Sequence, residues 1–349
     1  MIGAMVAFLA ALTAGLVFTP LARRYALRTG MVANPIAGRW HREPTALLGG
    51  LAIGLASVAG LVVAGVVVAV LVPTPAGTPL PIEPLASTRG LGVAAAATLM
   101  FLVGYTDDRE WTFFQTKLTM QLVAGTLLVV TGAVFSVTPW PPANLLLTLF
   151  WFIGVTNAFN LIDNMDGVAA GVAAIAALTL GVVASRSGAW LHAMAAWALA
   201  GAALGFLRYN THPAKIFMGD VGSLFIGSAL AGLLATLPVS TAGAEISRLI
   251  LCATMVAVPI VDTTLVFTTR TLAGRKFYHG ARDHSTHRLA RLGLGDRQVA
   301  FAAYALTAIG SAIALANLES DLVVSIGIAF FLLLGLAIVW LTHATRGAT

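Results

Sequence analysis

Long apolar segments separated by short polar connections run through the whole chain. Eleven segments, most of them close to 20 residues long, are predicted to be membrane-spanning helices. They cover residues 2–21, 46–72, 90–105, 118–136, 143–158, 167–184, 189–207, 222–238, 247–269, 298–316 and 322–343. The strands of a membrane barrel would alternate apolar and polar residues, and these segments do not. The pattern therefore predicts an all-α polytopic membrane protein with about 11 transmembrane helices in a single domain over residues 1–349.

Composition and charge agree with a lipid environment. Only 10% of the 349 residues are charged, whereas soluble domains carry about 25%. If the N-terminus lies outside, the cytoplasmic loops hold 17 of the 20 lysines and arginines, all except Arg89, Arg186 and Arg248. The positive-inside rule favours this orientation, so the net charge of +6 reflects topology and predicts no nucleic-acid partner. The first segment precedes Arg23 and Arg24 and is expected to be a retained anchor, not a cleaved signal peptide.

Most carboxylates fall on the same predicted side of the membrane as the basic residues. Nine of the 14 acidic residues lie in predicted cytoplasmic connections, and Asp262 lies inside an apolar segment. Because acidic residues influence topology little, their gathering predicts an active site at the cytoplasmic face. Among the connections, residues 73–89 are predicted to be an extended proline-rich loop, and residues 270–297 form the longest polar connection, which is strongly basic.

The first candidate for chemistry is the sequence GYTDD at residues 104–108, at the cytoplasmic end of the third segment. Two adjacent carboxylates at a membrane boundary repel each other unless a cation compensates them. Mg²⁺ prefers oxygen ligands and substrate phosphates, so it is the expected partner of Asp107 and Asp108. The alternative is a solvated loop that merely carries charge.

A second candidate, NAFNLIDNMDG at residues 157–167, joins two apolar segments almost without a break. Asn160 and Asp163 are three residues apart, as are Asp163 and Asp166, so each pair shares a face of a helical turn. The segment contains amides and carboxylates without a basic partner. This concentration favours a site over an ordinary loop.

A third candidate, KIFMGDVGS at residues 215–223, leads into the eighth apolar segment. A glycine on each side of Asp220 lets the backbone approach a phosphate or an ion closely, and the helix start after it offers N–H groups to an anion. Phe217 can stack on a base, although an aromatic residue beside a membrane is more often a packing residue.

The fourth candidate, DHSTHR at residues 283–288, lies in the basic connection. Zn²⁺ sites need three or four ligands, so contact of His284, His287 and Arg288 with a phosphate or pyrophosphate is the better interpretation. The alternative is a solvated basic loop that only sets topology. Two further residues are candidates: Lys117, which either joins the site or extends to the interface, and Asp262, an acid at membrane depth unless its helix is broken there.

Taken in order, these motifs resemble the polyprenyl-phosphate N-acetylhexosamine-1-phosphate transferase family, glycosyltransferase family 4. The family includes the initiating transferases of teichoic acid linkage units and of enterobacterial common antigen. It also includes the phospho-MurNAc-pentapeptide transferase of peptidoglycan. The resemblance extends from His41 to Leu289, and the basic loop is more similar to the GlcNAc branch than to the peptidoglycan branch.

The resemblance implies a role for each matching position. The family's catalytic aspartate pair, which handles Mg²⁺ or substrate phosphate and is proposed to include a base, corresponds to Asp107 and Asp108. Its active-site segment NxxNxxDxxDG corresponds to Asn160, Asp163 and Asp166, its Mg²⁺ ligand to Asp220, and its site lysine to Lys117. Two positions near the uridine correspond to Asn210 and Phe217, and the element near the donor diphosphate corresponds to His284, His287 and Arg288.

The chain departs from the family pattern at three positions. Thr286 stands where many relatives have the middle histidine, Asn164 replaces a common glycine, and Leu47 stands where relatives often carry arginine. These departures put in doubt a mechanism that needs the middle histidine, and one contact to the donor.

The expected reaction is attack of a polyprenyl phosphate on the β-phosphorus of a UDP-N-acetylhexosamine, with release of UMP. The implied cofactor is Mg²⁺, with Mn²⁺ as the alternative, and the implied location is the cytoplasmic (inner) membrane, with a homodimer as a family expectation. Direct attack is favoured over a covalent phospho-aspartate. The alternatives are the UDP-MurNAc-pentapeptide donor and, in a different class, a secondary transporter, which would place its polar residues near the membrane midplane and in two related halves.

Overall fold

The computed structural model describes residues 1–33, 44–71, 87–110, 112–238, 245–275, 283–316 and 322–345. Helices make up most of this part of the chain. They are α1 (Ile2–Thr29), α2 (Gly49–Leu71), α3 (Thr88–Glu110), α4 (Phe114–Val130), α5 (Pro141–Ile162), α6 (Val168–Arg186), α7 (Trp190–Asn210), α8 (Gly219–Ala235), α9 (Glu245–Met255), α10 (Ala257–Leu272), α11 (Ser285–Arg291), α12 (Asp296–Ala316) and α13 (Val323–Ala344). His41 and residues 73–86 of the predicted proline-rich loop lie outside the described residues.

Each predicted apolar segment corresponds to a helix or to a bent pair of helices. Among the described residues, eight helices are long and apolar enough to cross a membrane. The pair α9 and α10, bent by 83°, makes nine if it forms one span, and α4 and α8 are apolar but only 17 residues long. The chain is thus a multi-pass integral membrane protein. The bend lies at Val256, so the interpretation that the helix breaks at Asp262 is wrong.

The sequence predicts only helices joined by loops, and the structure differs from this prediction in two features. Strand β1 (Val32–Ala33) pairs antiparallel with strand β2 (Thr45–Ala46). Ala46 also bridges to Ile216, and its carbonyl accepts a 2.8 Å hydrogen bond from the amide of Phe217. The small ribbon therefore satisfies the backbone just before α8. The second difference is α11, which lies within the basic connection predicted as a loop.

Helix α8 lies at the centre of the bundle, against α2, α3 and α5. Small residues permit this, because helices in membranes approach most closely where side chains are absent or short. A Cβ atom at Gly50 would collide with the backbone of Gly222, and one at Gly104 would collide with the backbone of Asp220. Both close crossings fall at the first turn of α8, so the packing fixes the position of Asp220.

Candidate functional site

The first turn of α8 is capped by a carboxylate from another helix. Asp108, at the end of α3, accepts a 2.9 Å hydrogen bond from the amide of Asp220 and a 3.1 Å hydrogen bond from the amide of Val221. A carboxylate at a helix N-terminus satisfies free N–H groups and complements the helix dipole. Gly219 adopts a φ of 73°, and a side chain there would collide with Asp108. Asp108 therefore positions α8.

Four helices converge on the side chain of Asp220. Lys117 Nζ, from α4, lies 2.9 Å from one oxygen of Asp220 and 2.9 Å from Asp107. Asn160, in the last turn of α5, donates to the other oxygen of Asp220 at 3.0 Å and to the hydroxyl of Ser223 at 2.9 Å. Five residues predicted from the sequence, Asp107, Asp108, Lys117, Asn160 and Asp220, are thus in one connected cluster, which we call the carboxylate cluster.

An amide pair ties α4 to α5 about one helical turn from this cluster. Gln121 Nε2 donates to Asn157 Oδ1 at 3.2 Å, and Asn157 Nδ2 donates back to Gln121 Oε1 at 2.6 Å. Asn157 is three residues before Asn160, and Gln121 is four residues after Lys117. Each pair therefore lies on one face of its helix. The pair therefore fixes the spacing of the two helices that deliver Lys117 and Asn160.

Asp163 follows α5 and lies close to the carboxylate cluster. Burial, together with the charges of Asp220, Asp108 and Asp166, raises the pKa of Asp163 to about 8. Within the described part of the chain, no hydrogen bond to its carboxyl group is found. Asp163 is half-buried, and a carboxyl beside other carboxylates is stabilised by a proton or a cation.

The side chain of Asp166 does not join the carboxylate cluster and binds other residues. Its carboxylate accepts a 3.0 Å hydrogen bond from the amide of Ala214 and lies 2.9 Å from His212 Nδ1. The same histidine nitrogen lies 3.1 Å from Asp296. Asp166 thus fastens the connection between α7 and α8 and the start of α12. Sequence reasoning missed His212, and the nearest signal was its position two residues after Asn210.

Asn210 and Phe217 brace the segment that leads into α8. Asn210 is 2% exposed; its side-chain oxygen accepts a 3.0 Å hydrogen bond from the amide of Gly167, and its amide donates to the carbonyl of Ile216 at 3.0 Å. The backbone of Phe217 also accepts a 2.9 Å hydrogen bond from the amide of Gly49. Asn210 therefore holds the two active-site segments together, and Phe217 joins one of them to the start of α2. The place of both residues near a uridine stays a prediction.

The histidine element, residues 283–288, is anchored on α10. Asp262 is 1% exposed, lies 2.7 Å from His284 Nδ1, and accepts hydrogen bonds of 2.7 and 2.6 Å from the amide and hydroxyl of Ser285. The rings of His284 and His287 meet edge to face, with centroids 5.7 Å apart. The buried acid singled out from the sequence therefore orients a predicted site histidine.

An ion pair holds the other edge of the histidine element. Arg270, 3% exposed, donates two hydrogen bonds of 2.8 and 2.6 Å to the carboxylate of Asp283. Burial raises the pKa of Asp283, but the hydrogen bond and charge of Arg270 outweigh this effect and keep it below its usual range. Arg288 Nε donates to the carbonyl of Asp283 at 2.9 Å. The element is buried and ordered, so the solvated-loop interpretation is wrong for residues 283–288.

The chain is similar to several known transferases. The model of glycosyl transferase family 4 matches residues 91–237. The chain is 31% identical over 350 residues to a probable undecaprenyl-phosphate N-acetylglucosaminyl 1-phosphate transferase of Bacillus subtilis (strain 168), covering 97% of this chain and 92% of that protein.

Other relatives match over a smaller share of the chain. A decaprenyl-phosphate N-acetylglucosaminephosphotransferase of Mycobacterium tuberculosis is 33% identical, with 81% of this chain and 74% of that protein covered. A phospho-N-acetylmuramoyl-pentapeptide-transferase of Desulforamulus reducens is 32% identical, with 67% and 73% covered. Together with the motifs that meet in the carboxylate cluster, these matches establish that the chain belongs to glycosyl transferase family 4.

Proposed function

We propose that this protein transfers GlcNAc-1-phosphate from UDP-GlcNAc to undecaprenyl phosphate, releasing UMP. The product is a lipid-linked sugar diphosphate that initiates synthesis of a cell-envelope polysaccharide, such as a teichoic acid or lipopolysaccharide. The observation that carries the proposal is Lys117 bridging Asp107 and Asp220 at the first turn of α8. The names of the GlcNAc-1-phosphate transferases among the relatives support the choice of sugar.

The bonds that change are few. An oxygen of the acceptor phosphate forms a bond to the β-phosphorus of the donor, and the bond from that phosphorus to the oxygen bridging the α-phosphate breaks. UMP leaves with the bonding electron pair. Such transfer needs positioning and charge stabilisation more than covalent help from the protein.

The two adjacent aspartates have different roles in this proposal. Both oxygens of Asp108 accept hydrogen bonds from the backbone of α8, so Asp108 positions the helix. Asp107 accepts a hydrogen bond from the Thr112 amide through one oxygen and pairs with the Lys117 ammonium through the other, so Asp107 would orient the acceptor phosphate through Lys117. With a second phosphate pKa near 6, the acceptor is already largely deprotonated at neutral pH, and little base catalysis is required.

Asp220 and Asp163 are the residues that would hold Mg²⁺, with Mn²⁺ as the alternative. The raised pKa of Asp163, to about 8, supports a cation there. Mg²⁺ commonly takes only one or two carboxylates from the protein and completes its shell with substrate phosphate and water. When bound, it would neutralise charge on the donor diphosphate.

The proposed topology follows from the charges. All members of the carboxylate cluster lie at one end of the bundle, and most basic residues flank that end in sequence. We therefore place this end at the cytoplasmic face of the cytoplasmic (inner) membrane, with 11 spans and the N-terminus outside. A homodimer remains a prediction.

The test is UMP release by the purified protein in detergent with UDP-GlcNAc, undecaprenyl phosphate and Mg²⁺. Turnover should require the lipid, stop with EDTA, recover with added Mg²⁺, and be lost in Asp220→Asn of unchanged melting temperature. Turnover with UDP-MurNAc-pentapeptide alone would move the protein to the peptidoglycan branch. Folded wild-type protein that releases no UMP from any UDP-sugar would contradict the proposal.

A further inference from the structure

One hydrogen bond links the histidine element directly to the turn that carries Asp163. Thr286 Oγ1 donates to Asn164 Oδ1 at 2.6 Å, across 122 residues of sequence. These are two of the three positions at which the chain departs from the family pattern. A departure at one position is therefore in contact with a departure at the other.

The side-chain amide of Asn164 is held at both of its polar atoms: the oxygen accepts the bond from Thr286, and the nitrogen is fixed on α5. Asn164 Nδ2 donates to the carbonyl of Leu161, in the last turn of α5, at 2.8 Å. This contact directs the side-chain oxygen away from α5 and towards α11. Asp163, which lies between the last residue of α5 and Asn164, is the C-cap of the helix and has a φ of −76° and a ψ of 52°. The position of Thr286 is thus transmitted to the backbone that holds Asp163.

On the other side of the bond, α11 depends on tertiary contacts for its position. It has only seven residues and no side-chain hydrogen bond at its N-cap, and so short a helix is not stable alone. Its first residues are anchored on Asp262. Thr286, 2% exposed, gives it a second attachment point on a different helix pair. Two attachment points are needed to set the orientation of α11 as well as its distance.

We propose that Asn164 and Thr286 form a positioning pair that sets the histidine element relative to Asp163 and so determines affinity for the donor's diphosphate. The inference rests on the function proposed above and on the family resemblance, which implies that His284, His287 and Arg288 lie near that diphosphate. The pair itself touches no substrate. Its loss weakens donor binding and leaves the acceptor site, which involves Asp107, intact.

The experiment measures KM for each substrate, and calorimetric binding of UDP-GlcNAc, in Thr286→Val, Asn164→Ala and the double variant. Each single change should raise the donor KM and Kd about tenfold, as expected for loss of one buried hydrogen bond. The KM for undecaprenyl phosphate should stay within about twofold, since the acceptor site is not coupled to the pair. The donor KM and Kd of the double variant should equal those of the single variant that binds the donor more weakly, because the two residues act through one bond.

Two controls separate positioning from general stability. Thr286→Ser keeps the hydroxyl and should restore the wild-type donor KM. Thr307→Val removes a hydroxyl that is equally buried but bonded only to Ala303 in its own helix, and should leave the donor KM unchanged.

The outcomes distinguish the two proposals. If the wild-type protein turns over and Thr286→Val has an unchanged donor KM, the positioning pair alone is overturned. Additive effects on donor KM in the double variant would have the same meaning. A wild-type protein that neither binds UDP-GlcNAc nor releases UMP would overturn both proposals.

Discussion

The two ends of α8 differ in how fully the protein compensates buried charge. At its C-terminal end, Arg248 is 8% exposed and its guanidinium donates to the carbonyl of Ala235 at 2.9 Å and to Glu245 at 3.0 Å. It also lies 4.7 Å from the centre of the Phe135 ring. Most of this cation therefore meets protein partners, as expected for a charge whose role is structural.

At the N-terminal end, about 24 Å away along the helix axis, negative charge is in excess. Asp107 and Asp220 share the single positive charge of Lys117, and burial, together with the neighbouring carboxylates, raises the pKa of Asp163 to about 8. The contrast teaches that burial alone does not identify a site. Charge that the protein leaves uncompensated identifies it.

The largest effect is expected where charge compensation serves the reaction. Lys117→Met should lower kcat/KM by about a thousandfold or more, since it removes the cation that organises Asp107 and Asp220. UMP release measures it, and Lys215→Met, at an exposed lysine of the same end, is the matched control. Equal losses in both variants would mean that Lys117 acts only through general charge.

At the opposite end, Arg248→Met should cost stability instead of activity. We expect a loss of about 1–3 kcal/mol in the free energy of unfolding, because buried carbonyls lose their donor, whereas the partly exposed Glu245 carboxylate stays solvated when it is left unpaired. Thermal unfolding in detergent measures it, and kcat/KM per folded molecule should be unchanged. A variant that is stable but inactive would show that the two ends are functionally coupled.

The crossing of α2 and α8 links packing to the site. Gly50→Ala should destabilise the fold by about 1–3 kcal/mol and also lower activity, because the new methyl group displaces the Gly222 backbone in the turn that holds Asp220. Gly65→Ala is the control on the same helix, since nothing lies within 4 Å of a Cβ atom there. The measurements are the unfolding temperature and the rate of UMP release of the two variants. Equal values for Gly50→Ala and Gly65→Ala would argue against a tight crossing.

The smallest effect concerns pH. Arg270 holds the pKa of Asp283 below its usual range, so this carboxylate stabilises the fold at neutral pH, and the contribution is lost as pH falls through the lowered value. Asp283→Asn should cost about 1–2 kcal/mol at pH 7, because the asparagine oxygen still accepts one hydrogen bond from Arg270. The difference in melting temperature from wild type should be constant above about pH 5 and shrink below about pH 4. A constant difference down to pH 3 would contradict the assignment.

Much of the site was predictable because its residues occur in compact motifs. Asp107, Asp108, Lys117, Asn160 and Asp220 were all candidates from the sequence, and the structure joins them in one cluster. The division of labour within the motifs was not predictable. Asp108 caps a helix and Asp166 binds His212, although the motif alone presents all these aspartates as equivalent.

The sequence by itself determined where the chain is helical and apolar, because a lipid environment requires long uninterrupted runs of apolar residues with internally satisfied backbone. Only the tertiary structure decided which polar groups meet. Asp108 with Asp220, Asp262 with His284 and Asn164 with Thr286 are separated by 22 to 122 residues. Periodicity relates neighbours only three or four positions apart in a helix, so such contacts follow from how the helices pack, above all from the glycines at the crossings of α8.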